Sequence, residues 1–338
     1  AHPRVQLLVK SNGCKSCALL LGILHTSSEI LVCIDADTRL EPDALDYLLV
    51  QFSDAKVGAV AGVVSVGNRN TLLARFQAIE YTIAQNLDRR ALEYVGGVGV
   101  VPGAIGAWRR EAVLQAGLFG TDTLAVDADL TIALQKDGWL VRHEGRARSW
   151  TEAPATISEF RKQRFRWMFG TLQVACKHLD VYAKPGAWGL KIFTLPNIFL
   201  FQFLFTVVSP LMDAALIWAI TSEIATLTKT TGWSSSAVSS PVIAYWALFQ
   251  TMELLATVLA FKLGHIPLSI AHLGLVVLQR FCYRQLLYLV AIEALFAAML
   301  GRLNGWGKLR RSGLKLARAR RFMGPALQSR SEPLATRD

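Results

Sequence analysis

Apolar and polar positions divide the chain into two parts with different patterns. Residues 1–188 alternate short apolar and polar stretches, as the strands and helices of an α/β domain do. From Gly189 to about Leu300, charges are scarce and long apolar runs dominate. The pattern predicts an α/β domain over residues 1–188, followed by an α-helical transmembrane region over residues 189–301.

In the first part, short runs rich in β-branched residues predict strands, and longer runs predict helices. The predicted strands are Val5–Val9, Ile30–Ile34, Val57–Val66 and, with a turn, Val98–Trp108; the predicted helices are Ser16–His25, Leu72–Leu92 and Asp127–Lys136. Ile30–Ile34 is wholly apolar, which suits the centre of a parallel sheet. The alternation of strands and helices predicts a mostly parallel sheet with helices on its faces.

In the second part, the apolar runs have the length of membrane spans. A span needs about 20 apolar residues, and Leu195–Ile220 and Pro241–Phe261 meet this requirement. Ile266–Leu278 is short for a span, and Leu286–Leu300 is apolar again. We expect four spans, with two as the alternative if residues 266–300 lie partly in the membrane interface.

Four charged residues lie within or beside these apolar segments, namely Asp213, Glu253, Arg280 and Arg284. Charges inside a membrane tend to face the interior of a helix bundle or an aqueous path. Two interpretations therefore stay open: a polar path through the bilayer, and ion pairs that join the helices to one another.

The formal net charge is +11, and a large share of it lies in the segment 302–338. Basic residues directly after an apolar segment are expected on the cytoplasmic side, facing anionic lipid, although a solvated tail explains them equally well. No aromatic interleaving accompanies these charges, so we expect a lipid bilayer and no nucleic acid among the partners. The five scattered cysteines, including the single pair Cys14-x-x-Cys17, predict reduced thiols and no zinc site.

Two acidic clusters carry candidate chemistry. Asp35-Ala-Asp37 follows the apolar run Ile30–Ile34 directly, and ligands of open α/β sheets bind at the carboxyl ends of strands. Carboxylate oxygens suit Mg²⁺ or Mn²⁺. Asp127 and Asp129 open a predicted helix, where an acid is often only a cap. A carboxylate in a cleft can instead act as a general base, and both interpretations stay open for Asp127. Asp129 better suits a structural role that caps or orients the turn.

The run Gln163-Arg164-Phe165-Arg166-Trp167 combines an amide, two cations and an indole. Arg166 can grip a diphosphate with two hydrogen bonds, and Trp167 can stack on a sugar ring. A helix at the membrane surface, with snorkelling arginines and an interfacial tryptophan, explains the same residues. Both interpretations hold together for an enzyme whose site lies at the membrane interface.

In this order and at these separations, Asp35-Ala-Asp37, Asp127 and Gln163-x-x-Arg166-Trp167 resemble the motifs of the membrane-embedded processive family 2 glycosyltransferases. This family includes the cellulose, chitin, hyaluronan and poly-N-acetylglucosamine synthases, and the closest resemblance is to the bacterial poly-β-1,6-N-acetylglucosamine synthases. The smaller runs that agree are Asn12–Lys15, Ile79–Tyr81, Gly103–Arg110 and Gly305–Lys308. The resemblance covers nearly the whole chain.

The resemblance implies a GT-A-like fold that binds a UDP-sugar and a divalent metal, Mg²⁺ or Mn²⁺. Asp37 is then the main metal contact, and Asp35 supports the metal and the bound substrate. Asp127 is the catalytic base of an inverting transfer. The remaining substrate-binding residues are Lys15 at the nucleotide, and Gln163, Arg166 and Trp167 at the diphosphate and the acceptor end.

The resemblance further implies a processive synthase of the inner (plasma) membrane, with its α/β domain in the cytosol and N-acetylglucosamine as the expected sugar. The growing polysaccharide is the acceptor, and an export or accessory membrane protein is a possible further partner. A transferase to a polyisoprenoid lipid carrier and a membrane-anchored subunit without catalysis are the alternatives.

Two departures from the family pattern keep the last alternative open. Ala125 and Val126 stand where the family has Thr-Glu before its catalytic Asp. The first strand of the family's domain is expected before Ala1, so this chain alone is expected to bind nucleotide poorly.

Overall fold

The computed structural model describes residues 5–11, 15–229 and 241–301. Its α/β part contains one five-stranded sheet with the strand order β1-β4-β3-β5-β2. The strands are β1 Ile30–Cys33, β2 Arg39–Leu40, β3 Val57–Val66, β4 Gly106–Arg109 and β5 Leu140–Thr151. Of the predicted strands, Val57–Val66 is therefore found at its predicted bounds.

The sheet is mixed, which corrects the prediction of a mostly parallel sheet. Among the described strands, only β3 and β5 pair in parallel; the pairs β1–β4, β3–β4 and β2–β5 are antiparallel. β1 lies at one edge of the strands that the structure describes, not at the centre. Alternating strands and helices do not determine strand direction, because the connection after a helix can place the next strand parallel or antiparallel to its neighbour.

The predicted first strand is also wrong. Residues 5–11 have no regular secondary structure, and the side chains of Val5, Leu7 and Val9 are 68%, 84% and 83% exposed. An alternating apolar run forms a strand only where a neighbouring strand pairs with it and a core covers one face.

Helices cover both faces of the sheet. They are α1 Lys15–Leu24, α2 Ala44–Val50, α3 Leu72–Ile83, α4 Arg89–Tyr94, α5 Arg110–Gln115, α6 Val126–Lys136 and α7 Ile157–Lys177, with short 3₁₀ turns at Gln51–Ser53 and Leu179–Ala183. Successive residues of a strand point to opposite faces. Ala59 and Ala61 therefore join a core with α1, α5 and α6, whereas Val60 and Val64 join one with α2 and α3.

Two of the predicted helices have features that explain their bounds. Thr71 caps α3, since its hydroxyl accepts a hydrogen bond from the Ala74 N–H at 3.1 Å. A π-helical turn over Ala84–Asp88 joins α3 to α4, so one long helix runs as predicted. α6 ends before Gly138, whose φ of +90° is the left-handed conformation that favours glycine.

The apolar part is helical. After π-helical turns at Leu190–Thr194 and Ile198–Leu204, which flank α8 Leu195–Asn197, come α9 Phe205–Lys229, α10 Pro241–Leu263, α11 Ile270–Gln279 and α12 Tyr283–Met299. Two stretches have the length and composition of membrane spans, Leu190–Ser222 and Ala244–Leu263. α11 and α12 meet at a 41° bend and add a third only if they form one broken span.

The described residues thus supply two or three candidate spans, not the four expected. The chain leaves the α/β domain at Leu190 and returns to it at the end of α10. There, Arg148 Nη2 donates to the Gly264 carbonyl at 2.7 Å, and Arg90 Nη2 donates to the Leu263 carbonyl at 3.3 Å. Cations favour the negative end of a helix dipole, so these contacts hold α10 to the α/β domain. The basic segment 302–338 and residues 230–240, between the two predicted spans, lie outside the described residues.

The four charged residues singled out in the apolar part form two ion pairs. Arg280 Nη2 lies 3.0 Å from Asp213 Oδ1, and Arg284 Nη2 contacts Glu253 Oε1. Each pair joins a different helix to the region of the α11–α12 bend. The interpretation as ion pairs between helices is therefore confirmed for these four residues.

Candidate active site

Lys15 brings together two acids that lie far apart in the sequence. It is the first residue of α1, and its Nζ lies 3.0 Å from Asp35 Oδ1 and 3.1 Å from Asp127 Oδ2. Asp35 lies just beyond the end of β1, in a turn closed by the Thr38 N–H donating to the Asp35 carbonyl at 2.9 Å. Three of the predicted site residues therefore meet at the carboxyl end of β1.

Asp127 has the environment of a proton acceptor. It lies in the first turn of α6, its side chain is 22% exposed, and its carboxylate accepts a hydrogen bond from the Gly103 backbone. Burial raises the pKa of Asp127 above its ordinary value, Asp35 adds to this rise, and Lys15 opposes it. A carboxylate with a raised pKa binds a proton more readily than a free one, which suits a general base.

Lys15 stays cationic in this position. Burial alone lowers the pKa of an ammonium group, but the attraction of Asp127 and Asp35 outweighs it, and the pKa of Lys15 lies above its ordinary value. The lysine therefore supplies a fixed positive charge between the two carboxylates.

Gly103 makes room for this cluster. A Cβ at this position would lie 2.5 Å from Asp127 Oδ2 and closer still to Lys15 Nζ. Distances this short are not tolerated, so any larger residue would displace the lysine or the aspartate. Gly103 belongs to the run Gly103–Arg110, yet nothing in that run shows which residue its backbone approaches.

Asp35 and Asp37 can contribute to a divalent metal site. Both are half-buried in the turn after β1, and their oxygens are hard ligands of the kind Mg²⁺ and Mn²⁺ prefer. Among the described residues, no group of three or more His, Cys, Asp or Glu side chains could hold a metal ion. The fit of a divalent ion to this turn therefore rests on the hard oxygen donors of Asp35 and Asp37.

The predicted diphosphate and acceptor residues lie on α7. Gln163 is 4% exposed, and its Oε1 has no hydrogen-bond partner among the described residues. Arg166 is half-buried, and Trp167 is 41% exposed. The helix thus presents one buried, unsatisfied amide oxygen and one accessible indole.

α7 packs directly against the segment that leads into Asp127. The Leu124 N–H donates to Gln173 Oε1 at 3.0 Å, and a Cβ at Gly170 would lie 2.6 Å from the Ala125 nitrogen. This close approach fixes the helix that carries Gln163–Trp167 relative to the first turn of α6.

Asp129 has the structural role expected of it. Its side chain is 5% exposed and accepts hydrogen bonds from His178 Nε2 at 2.7 Å and Lys177 Nζ at 2.8 Å. Burial raises the pKa of Asp129, but these hydrogen bonds outweigh it and leave the pKa below its usual value. Asp129 ties the start of α6 to the end of α7 and caps neither helix. No sequence motif had indicated that Lys177 and His178 are its partners.

The redox state of the cysteines agrees only in part with the expectation of five reduced thiols. Cys33, Cys176 and Cys282 are free, whereas Cys17 is in a disulfide. Burial raises the pKa of the Cys33 thiol to about 12, and Asp127 contributes to the rise. Cys33 is therefore an unreactive neighbour of the site.

The sequence matches the family described as Glycosyl transferase family group 2 over residues 30–300. The chain belongs to the family 2 glycosyltransferases. Its α/β domain is GT-A-like and carries a mixed sheet. The predicted family and enzyme class are confirmed.

Individual relatives agree with this assignment. The chain is 29% identical over 191 residues to the poly-β-1,6-N-acetyl-D-glucosamine synthase of Staphylococcus aureus strain COL, covering 56% of this chain and 46% of that protein. The synthase of Staphylococcus epidermidis strain ATCC 35984 is 29% identical over 188 residues, covering 55% and 46%. The chain thus spans about half the length of the curated relatives it matches.

Among solved structures, the chain is similar to a mannosyltransferase, PcManGT, from Pyrobaculum calidifontis, determined in complex with GDP-Man and Mn²⁺. The TM-score is 0.49 at 19% identity, covering 80% of this chain and 67% of the other.

Proposed function

We propose that this family 2 glycosyltransferase is an inverting, processive synthase that polymerises a sugar from a UDP-sugar donor into a β-linked polysaccharide at a membrane. The observation that carries the proposal is the Lys15–Asp35–Asp127 cluster. The segment that leads into Asp127 packs against α7, the helix that bears Gln163, Arg166 and Trp167. N-acetylglucosamine is the proposed sugar, because the relatives at 29% identity are named for its polymer.

Asp127 is the proposed catalytic base. The acceptor hydroxyl attacks the anomeric carbon of the donor while its proton passes to the Asp127 carboxylate. The bond from that carbon to the diphosphate oxygen breaks, and UDP leaves with the bonding electron pair. The configuration inverts because attack and departure occur on opposite faces of the sugar.

The other site residues are proposed to neutralise the charge of the leaving diphosphate and to position the acceptor. Asp35 and Asp37 would hold a divalent ion, Mg²⁺ or Mn²⁺, which supplies positive charge to the leaving diphosphate. Lys15 provides a further cation at the nucleotide, and Arg166 is proposed to bind the diphosphate through its guanidinium group. Gln163 and Trp167 are proposed to hold the acceptor end by hydrogen bonding and stacking.

The proposed location is the inner (plasma) membrane, crossed several times, with residues 1–188 and 302–338 in the cytosol and residues 189–301 in the bilayer. The two candidate spans and the return of α10 to the α/β domain support this arrangement. Export of the polymer, with or without an accessory membrane protein, is part of the proposal.

Incorporation of labelled sugar by membranes that contain the chain tests the proposal. UDP-N-acetylglucosamine, UDP-glucose and UDP-glucuronic acid are supplied separately, and products are separated by size and by extraction into organic solvent. High-mass polymer from one donor supports the processive synthase. A single-sugar lipid identifies a transferase to a lipid carrier. No turnover with any donor identifies a subunit without catalysis, as the Ala125-Val126 departure would allow.

A further inference from the structure

A partly buried cluster of an ion pair and a tyrosine hydroxyl joins three helices at the α7 motif. Arg164 Nη1 and Nη2 donate to Glu80 Oε1 and Oε2 at 2.6 and 2.7 Å. Arg164 Nη2 also donates to the Tyr283 hydroxyl at 3.1 Å, and that hydroxyl donates to Glu80 Oε2. Glu80 lies on α3, Arg164 on α7 and Tyr283 at the start of α12. We call these three residues the Arg164 triad.

The triad fixes the guanidinium plane. The Arg164 side chain is only 6% exposed, and the two parallel hydrogen bonds to Glu80 define one orientation. A lysine at this position would keep the charge but would lose the planar fork. Tyr283 adds a third contact from the apolar part of the chain.

The fixed guanidinium lies against the indole of Trp167. Arg164 Cζ is 4.7 Å from the centre of the Trp167 ring, and the rings of Phe160 and Tyr81 lie 5.1 and 5.9 Å from the same atom. Trp167 is 41% exposed, so packing encloses it only in part. A cation held near an aromatic ring attracts it, which restricts the orientation of the indole.

We propose that Arg164 is a positioning residue for the transfer reaction: it orients the Trp167 indole toward the acceptor sugar, and Glu80 and Tyr283 hold Arg164 for that task. Helix α12 thereby contributes, through the Tyr283 hydroxyl, to the geometry of the acceptor end. The role of Trp167 in acceptor binding rests on the proposed function, whereas its orientation by Arg164 does not.

The chain offers a matched control for a purely structural role. Arg161 also lies on α7 and also pairs with an acid, Glu293 of α12, with its Nε 2.9 Å from Glu293 Oε2. This pair joins α7 to α12 just as Arg164 and Tyr283 do, but it is exposed. Loss of a tie between the two helices is therefore common to Arg161 and Arg164 variants, while loss of the contact with Trp167 is specific to Arg164.

Steady-state kinetics in membranes distinguishes a residue that positions Trp167 from one that only ties α7 to α12. With a β-1,6-linked N-acetylglucosamine oligosaccharide as acceptor, Arg164→Lys raises the acceptor KM by up to about tenfold, because the lysine ammonium is not fixed against the indole by a planar fork and the cation–π energy limits the effect. The donor KM is unchanged. Arg161→Lys changes neither. Equal effects of the two variants, or an Arg164→Lys effect confined to kcat or shared by the donor KM, would overturn the proposal.

A measurement of Trp167 itself does not depend on activity. The chain is labelled with 5-fluorotryptophan, and Trp167→Phe assigns the ¹⁹F resonance of Trp167. We expect Arg164→Lys, and the milder Tyr283→Phe, to shift this resonance, and Arg161→Lys to leave it in place. If Arg164→Lys does not fold, Tyr283→Phe decides alone.

An unshifted resonance in the folded triad variants would contradict the orientation of Trp167 by Arg164, whatever the enzyme makes. Failure of the wild-type membranes to use any UDP-sugar would instead contradict the proposed function, and the resonance would still show whether the triad orients the indole.

Discussion

The Lys15 ammonium lies 3.1 Å from the Asp127 carboxylate, although 112 positions separate the two residues in the sequence. The contact joins the first residue of α1 to the first turn of α6, and Asp35 completes it from the end of β1. Because burial and Asp35 both raise the pKa of Asp127, the lysine opposes that rise. Lys15 thus holds the pKa of the proposed base below the level that burial and Asp35 alone would give it.

Asp127→Asn removes the proposed proton acceptor and keeps the shape of the side chain. We expect kcat to fall about 10²–10⁴-fold, the usual contribution of general acid–base catalysis, while the affinity for UDP measured by calorimetry changes little. Asp137→Asn is the control, since Asp137 is an exposed acid just beyond the end of the same helix. Activity of Asp127→Asn close to that of Asp137→Asn would show that Asp127 is not the base.

Gly103→Ala tests the packing of the cluster. The added Cβ would lie 2.5 Å from Asp127 Oδ2, so the Lys15 or the Asp127 side chain must move. We expect transfer activity to fall at least as far as in Lys15→Ala, with little loss of the folded protein. The control is Gly22→Ala in α1, where a Cβ meets nothing within 4 Å. An active Gly103→Ala enzyme would mean that the Lys15–Asp127 contact is dispensable.

Asp37→Asn tests the metal assignment. We expect EDTA to abolish transfer in the wild type and Mg²⁺ or Mn²⁺ to restore it. Asp37→Asn then needs a much higher metal concentration for half-maximal activity, because the site has lost one of its two hard anionic ligands. Asp43→Asn, an exposed acid shortly after the same turn, serves as the control. An unchanged metal requirement in Asp37→Asn would remove Asp37 from the metal site.

Sequence patterns predicted those helices and strands whose bounds are set by residues close together in the chain. The apolar run Val57–Val66 forms β3 at those bounds, and the helix opened by Asp127 ends before Gly138 as its sequence indicates. Asp35 and Asp127 were recognisable because carboxylates at the ends of buried elements suit ligand chemistry. The prediction of a strand at Val5–Val9 was wrong, because a strand also needs a neighbouring strand that pairs with it.

Contacts between distant residues could not be predicted in the same way. Arg164 meets Glu80 across 84 positions, and Tyr283 meets Glu80 across 203. The sequence around each of these residues suits a helix that faces solvent or the membrane interface. It therefore does not indicate which distant residue each one contacts. The direction of β4 and the edge position of β1 are likewise set by connections and packing.

His143 makes the stability of the α/β domain depend on pH. It is 8% exposed on β5, and burial, with a contribution from Arg89 and Arg90, lowers its pKa to about 3. In the unfolded chain, a histidine titrates near pH 6.5. Between these two values the unfolded state binds a proton that the folded state does not. The contribution of His143 is therefore complete above pH 6.5 and is lost as the pH falls.

From pH 7 to pH 5 this loss amounts to about 2 kcal/mol. We expect the unfolding temperature of the wild type to fall more steeply over that range than that of His143→Gln, which cannot bind a proton, whatever the stability of the variant at pH 7. His25→Gln, at an exposed position of the same domain, should keep the wild-type slope. Parallel pH profiles for the wild type and His143→Gln would show that His143 is able to take up a proton without unfolding the domain.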